Sequence, residues 1–182
     1  MGSPADLALR PAGAILLLLL AACASQPGMR DADVVHLTPT EIREQPERLA
    51  SARYVSTGQP DAAVLDAARA AGFVAVIDLR GSDESRGIDE SAEVEARGMR
   101  YLALPLSTPE DATYDAANAF AAELAAIDGP VLMHCASGNR VGTLFALAAR
   151  AEGASAEAAL ALGERAGLTR WRSEVVEKLD ER

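Results

Sequence analysis

Val131-Leu132-Met133-His134-Cys135-Ala136-Ser137-Gly138-Asn139-Arg140-Val141-Gly142 reads as a buried strand, a tight loop and the start of a helix running from Val141 to Ala151. The first backbone N–H groups of a helix have no partner within it and carry the positive end of its dipole, so a loop feeding such an end can cradle an anion. Gly138 lets the backbone approach a bound oxyanion. A cysteine at the mouth of the cradle feels the same positive potential and should ionise to a nucleophilic thiolate. Arg140 adds a planar fork matched to a tetrahedral oxyanion. Strand, cysteine, glycine and arginine together suit attack on phosphorus or sulfur. The plainer alternative is a buried, inert cysteine beside a Gly-Asn turn, with Arg140 in a surface ion pair. His134 is either a satisfied core histidine or a support behind the loop.

Outward from this segment the chain alternates. Arg53-Tyr54-Val55, Phe73 to Leu79 and Met99 to Leu104 have strand length and apolar content, the second being the continuous run of a strand buried on both faces. Helices are expected over 61–71, 90–97, 113–127, 155–166 and 169–179, with Gly72 and Gly98 closing the first two. Residues 34–52 look weakly structured, with Thr40 as a possible helix cap. Strands alternating with helices predict one α/β domain with a mainly parallel central sheet flanked by helices. Ligands in such sheets lie beyond the carboxyl ends of the strands. His134-Cys135 sits at one such end, and Arg80 and Asp111 follow two others.

Composition removes several classes of function. With 17 Lys+Arg against 27 Asp+Glu the 182-residue chain carries a net charge of −10, and no basic run offers a footprint for nucleic acid. Hydrophobic residues at 49% and charged residues at 24% exclude a disordered or fibrous chain. Two cysteines, Cys23 and Cys135, make neither a disulfide framework nor a thiolate metal cluster.

The apolar stretch Ala12 to Ala22 after Arg10 has the length of a signal-peptide core and is too short to span a bilayer. Leu20-Ala21-Ala22-Cys23 resembles a bacterial lipobox. It implies a signal peptide over 1–22 and acylation of Cys23. Residues 23–36 then form the lipidated N-terminus and tether, and 37–182 the domain. Ala24, where a retention signal would have Asp, resembles lipoproteins of the outer membrane facing the periplasm. Cys135 is then the single thiol of the mature chain.

His134-Cys135-Ala136-Ser137-Gly138-Asn139-Arg140 resembles the active-site loop of cysteine-dependent phosphatases of the dual-specificity/protein-tyrosine type. The similarity is greatest to a bacterial branch with the phosphatase-like domains of beta-lactamase-hydrolase-like proteins and of NAD-kinase fusions. Ser56-Thr57-Gly58-Gln59-Pro60, Val76-Ile77-Asp78-Leu79-Arg80 with Glu84, and Glu93 through Leu106 support it. The resemblance spans about Tyr54 to Gly167 and implies a tyrosine phosphatase-like three-layer sandwich that cleaves phosphate monoesters. Cys135 would attack the phosphate and form a phosphocysteine. Arg140 and the loop Ala136, Ser137, Gly138 and Asn139 would bind it. No metal or organic cofactor is implied, and the partner would be a phosphorylated substrate.

Familiar tyrosine phosphatases place five residues between cysteine and arginine, and this loop has four. Val141 stands where those enzymes carry a hydroxyl, with Thr143 two residues further on. The leaving group needs a proton from an acid on another loop. Asp111, 24 positions before Cys135, is the first choice, with Glu110 and Asp115 as rivals and helix capping as its alternative role. Arg80 either touches the anion or braces its loop against Asp83 or Glu84, and Asp78 reads as a loop anchor. The four-residue spacing also fits a rhodanese-type sulfurtransferase, although the Gly-His-Ile-x-Gly-Ala pattern of that family is absent after Arg80. A non-catalytic, anion-binding envelope lipoprotein is the third reading.

Overall fold

A computed structural model describes residues 28–181. The signal peptide, the lipobox and Cys23 lie outside these described residues. Five strands, β1 (Val34–His36), β2 (Tyr54–Thr57), β3 (Ala75–Asp78), β4 (Arg100–Ala103) and β5 (Val131–His134), form one sheet in the order β1-β2-β5-β3-β4, with every pairing parallel. The helices are α1 (Pro39–Glu44), α2 (Ala62–Ala70), α3 (Glu90–Ala96), α4 (Tyr114–Ala125), α5 (Asn139–Ala151), α6 (Ala156–Arg165) and α7 (Arg172–Asp180). Among the described residues none is long and apolar enough to cross a membrane.

Strand periodicity sorts the core into two layers, because successive side chains point to opposite faces. Val131, Met133, Ala75, Ile77 and Tyr54 join α4, α5, α6 and α7 on one face, while Leu132, Val76 and Val55 join α1, α2 and α3 on the other. Each fully buried Val, Leu, Ile, Phe or Met contributes roughly 1.5–3 kcal/mol. Central β5 is covered on both faces and paired on both edges, which is why it reads as an unbroken apolar run. Helix α5 is buried almost all round, as a helix enclosed between a sheet and other helices must be. It meets α6 where Gly142 faces Gly163, and a Cβ on Gly163 would come within 2.8 Å of the Gly142 carbonyl oxygen.

The N-terminal part of the domain differs from the expectation. Val34–His36, assigned to the tether, is edge strand β1, paired with Tyr54, Val55 and Ser56, and Met29 is buried in the core. The helix after β1 is capped by Thr38 and not by Thr40. The Thr38 hydroxyl accepts the Glu41 N–H, Glu41 accepts the Thr38 N–H at 2.8 Å, and Pro39 takes the first helical position, a reciprocal box that satisfies two free donors. Residues 46–51, also expected to be weakly structured, form a 3-10 helix that buries Leu49.

Candidate active site

The loop between β5 and α5 sits at the carboxyl end of the sheet, where His134 is in register with Thr57 on one side and Asp78 on the other. Gly138 caps α5 with φ +85°, a left-handed conformation that favours glycine. A Cβ there would also strike the His36 ring and come within 3.1 Å of Ser56 Oγ. Ser137 bridges to Gly58, which fixes the loop against the end of β2.

Cys135 is 1% exposed, yet its sulfur is not surrounded by hydrocarbon alone: the Ser137 N–H donates to Sγ at 3.5 Å. The sulfur forms the floor of the loop, with Ala136 and Ser137 exposed above it. Arg140 donates from Nη1 to Glu84 Oε1 at 2.5 Å, from Nη2 to Glu84 Oε2 at 3.0 Å, and from Nη1 to the Leu79 carbonyl at 3.2 Å. Burial disfavours the charged guanidinium, but the Glu84 bond and the negative potential of the Cys135 sulfur outweigh it and raise the Arg140 pKa. The same contact with Arg140, helped by the Gly81 N–H and Arg80, holds the Glu84 carboxyl at about 2 despite the opposing effect of burial. The fork is thus pre-oriented before any anion arrives.

Other expected residues take distinct positions. Asn139 offers its backbone to the loop, while its buried side chain turns away and accepts from Thr169 N at 2.9 Å and Trp171 N at 3.2 Å. Arg80 braces its loop by donating to Glu84 Oε2 at 3.2 Å and to Gln59 Oε1 at 2.5 Å. Asp78 accepts from Arg80 N, Arg86 Nε and the Tyr101 hydroxyl. His134 lies fully buried behind the loop, Nδ1 3.4 Å from the Cys135 carbonyl oxygen and Nε2 2.7 Å from Glu90 Oε1. The Thr143 hydroxyl is committed to the Asn139 carbonyl at 3.0 Å, so it serves the helix backbone, and Val141 is wholly core.

Asp111 is exposed and accepts the Ser107 and Thr108 N–H groups at 3.2 and 2.9 Å. It shapes the turn before α4, whereas Thr113 caps that helix. Lys178 pins this turn by donating to the Pro109 and Ala112 carbonyls at 2.9 and 2.8 Å. Of the rivals, Glu110 has its carboxyl held low by the Thr108 hydroxyl, a poor starting point for a proton donor, and Asp115 lies exposed in the first turn of α4.

Residues 48–152 match the family described as beta-lactamase hydrolase-like protein, phosphatase-like domain, a stretch that holds the whole β2 to α5 frame and the loop. The chain belongs to this family. A beta-lactamase hydrolase-like protein of Agrobacterium fabrum (strain C58 / ATCC 33970) is 33% identical over 105 residues, which make up 56% of this chain and 24% of that relative. The chain therefore matches about a quarter of the relative's length. Among solved structures, nma1982 of Neisseria meningitidis Z2491 aligns with a TM-score of 0.58 at 20% identity, covering 67% of this chain and 90% of that one. Tk-PTP in its active form aligns at 0.53 and 26% identity (73% and 95%), and P. aeruginosa TpbA at 0.54 and 21% identity (69% and 77%). These likenesses establish the tyrosine phosphatase-like fold of this phosphatase-like domain.

Sequence reading passed over His36, Gln59, Arg86, Glu90, Tyr101 and Lys178 as parts of the site. Gln59 and Glu90 stand 31 positions apart, and Tyr114, whose hydroxyl donates to the Lys178 carbonyl, stands 64 from it. No local spacing marks such pairs. The one available signal was Arg86 directly after Asp83-Glu84-Ser85, a cation next to an acidic pair.

Proposed function

We propose that this phosphatase-like domain hydrolyses phosphate monoesters through a phosphocysteine on Cys135. The observation that carries this reading is the sulfur on the floor of a loop at the N-terminus of α5, with the Ser137 N–H aimed at it and the Arg140 fork held by Glu84. The Cys135 thiolate attacks phosphorus, and the ester P–O bond breaks with its electron pair going to the leaving oxygen. That oxygen takes a proton from Asp111. Water then attacks the phosphocysteine, Asp111 accepts its proton, and the S–P electron pair returns to the thiolate as inorganic phosphate leaves. Arg140 and the amides of residues 136–139 stabilise the charge on the equatorial oxygens at both steps.

In the same reading acylated Cys23 tethers the domain to an envelope membrane, on the periplasmic face of the outer one. Membrane release of Cys23→Ser is the expected outcome in a fractionation experiment; retention would refute the anchor. For the chemistry, para-nitrophenyl phosphate is turned over in the presence of a chelator. Cys135→Ser should lower the rate by at least about a thousandfold with the fold intact by circular dichroism. The short four-residue loop also suits a persulfide: if thiosulfate loads sulfur onto Cys135 and no phosphate is ever released, the sulfurtransferase reading replaces this one. Asp111→Asn should slow an alkyl phosphate about a hundredfold and an activated aryl phosphate much less. Equal slowing of both substrates would remove Asp111 from the acid role.

A further inference from the structure

The carboxyl ends of β2, β5 and β3 carry Thr57, His134 and Asp78 in one row. Alternation along each strand turns them to the face of Val55, Leu132 and Val76, where Glu90 arrives from the first turn of α3. His134 Nε2 is 2.7 Å from Glu90 Oε1 and 3.7 Å from Asp78 Oδ1, and all three side chains are closed to solvent. Close as they are, Nε2 and Oε1 form no hydrogen bond with each other or with any other group, and Thr57 Oγ1 in the same row has no partner either. Unpaired polar atoms in a dry interior are costly. Three of them at one end of the sheet call for a guest that satisfies them.

The donor set suits a metal cation. One imidazole nitrogen and two carboxylate oxygens lie within 4.8 Å of one another, a mixture that zinc and its first-row neighbours favour. Zinc bonds of about 2.0–2.2 Å set neighbouring donors about 3.0–3.6 Å apart, between the two separations measured from Nε2. The supports behind each donor are in place as well. His134 Nδ1 faces the Cys135 carbonyl oxygen at 3.4 Å, Glu90 Oε2 accepts from Gln59 Nε2 at 2.8 Å, and Asp78 Oδ2 is held by Arg86 and the Tyr101 hydroxyl. Such outer contacts orient metal-binding side chains. Asp78 Oδ1 accepts the Arg80 N–H and keeps a second lone pair for a cation.

We propose that His134, Glu90 and Asp78 bind a divalent transition-metal cation, with zinc as the ion that fits the donor set. The cation and Arg86 together carry one positive charge more than the two carboxylates. Arg86 shares its charge with the Arg80, Gly81 and Glu84 carbonyls, and the surplus lies directly behind a loop built to take an anion. The ion ties the ends of β3 and β5 to α3. Its role is structural, because Cys135 belongs to the core layer on the opposite face of the sheet.

The donors are closed to solvent, so the cation enters as the chain folds. For the test, the full chain is unfolded, stripped of metal and refolded with zinc or with chelator alone. After desalting, the zinc sample should retain stoichiometric zinc by elemental analysis and show a higher denaturation midpoint than the chelator sample. Glu90→Gln should lose at least about nine-tenths of that zinc and show no difference in midpoint, while Cys135→Ser should bind zinc as the unmodified protein does. Should Glu90→Gln fail to refold, nitrogen-15 resonances of the unmodified protein give the same answer: zinc should move Nε2 of His134 and leave His36 in place. No retained zinc, equal retention in Glu90→Gln, loss of zinc in Cys135→Ser, or an unmoved His134 resonance would each overturn the proposal. Zinc bound as expected by a protein that releases no phosphate would sustain this site and defeat the phosphatase reading instead.

Discussion

The two flanks of the β5–α5 loop are held in different ways. The cysteine flank is tied to residues 58–90: Gly58 on Ser137, Glu90 on His134, and Glu84 on Arg140. All of these lie inside the stretch that defines the family. The helix flank is tied to residues outside it, His36 against Gly138 and the turn at 169–171 on the Asn139 side chain. Lys178, also outside, holds the turn that carries Asp111. The first set bears on charge at the reacting atoms, and the second holds the shape of the backbone. Changes on the cysteine flank should therefore act on rate, and changes on the helix flank on stability.

Arg140→Lys breaks this comparison most sharply on the rate side. A point charge cannot chelate Glu84 and grip a phosphate with the same plane, so kcat/KM for para-nitrophenyl phosphate should fall by about 10²–10³ with little change in the denaturation midpoint. A tenfold effect or less would mean that the fork is not used. On the other flank, Gly138→Ala meets both an unfavourable φ and the His36 ring. It should cost about 1–3 kcal/mol in chemical denaturation, and His36→Ala in the same chain should return part of that loss. If the double variant is no more stable than the single one, strain at φ alone accounts for the cost.

The smallest expected effect concerns pH. Burial lowers the pKa of His36 below its usual 6.5, with Glu41 and the Ser56 contact pulling the other way. A base whose folded pKa is depressed is most stabilising when neutral. Its contribution is therefore intact above about pH 6.5 and declines as acid protonates the unfolded chain first. Thermal melts from pH 7.5 to 5.5 should show a decline that shrinks in His36→Gln. The Glu84 clamp should show no such trend in this window, since its carboxyl stays ionised down to about pH 2.

Much of the β5–α5 loop was legible because its information is local. An apolar run, a cysteine, a glycine and an arginine lie within ten positions, and the parallel sheet followed from strands alternating with capped helices. The rest escaped for physical reasons. Strand β1 is three residues long and ends in a histidine, too little for a periodic signal, and only its pairing with β2 makes it a strand. Thr40 and Thr38 are both good caps, and the reciprocal contact with Glu41 decides between them. Glu90 looked like an ordinary acidic first turn of a helix. Its burial arises from tertiary placement beside β3 and β5, which no single segment records.

The register of β5 has a consequence for how new specificities arise in this scaffold. His134 is laddered to Thr57 and Asp78 at one level, so shifting the nucleophile means unzipping two strand pairs at once. The arcs over 80–89 and 105–113 carry no strand pairing and border the same end of the sheet. Duplication and divergence would therefore remodel those arcs and leave the anvil between them untouched.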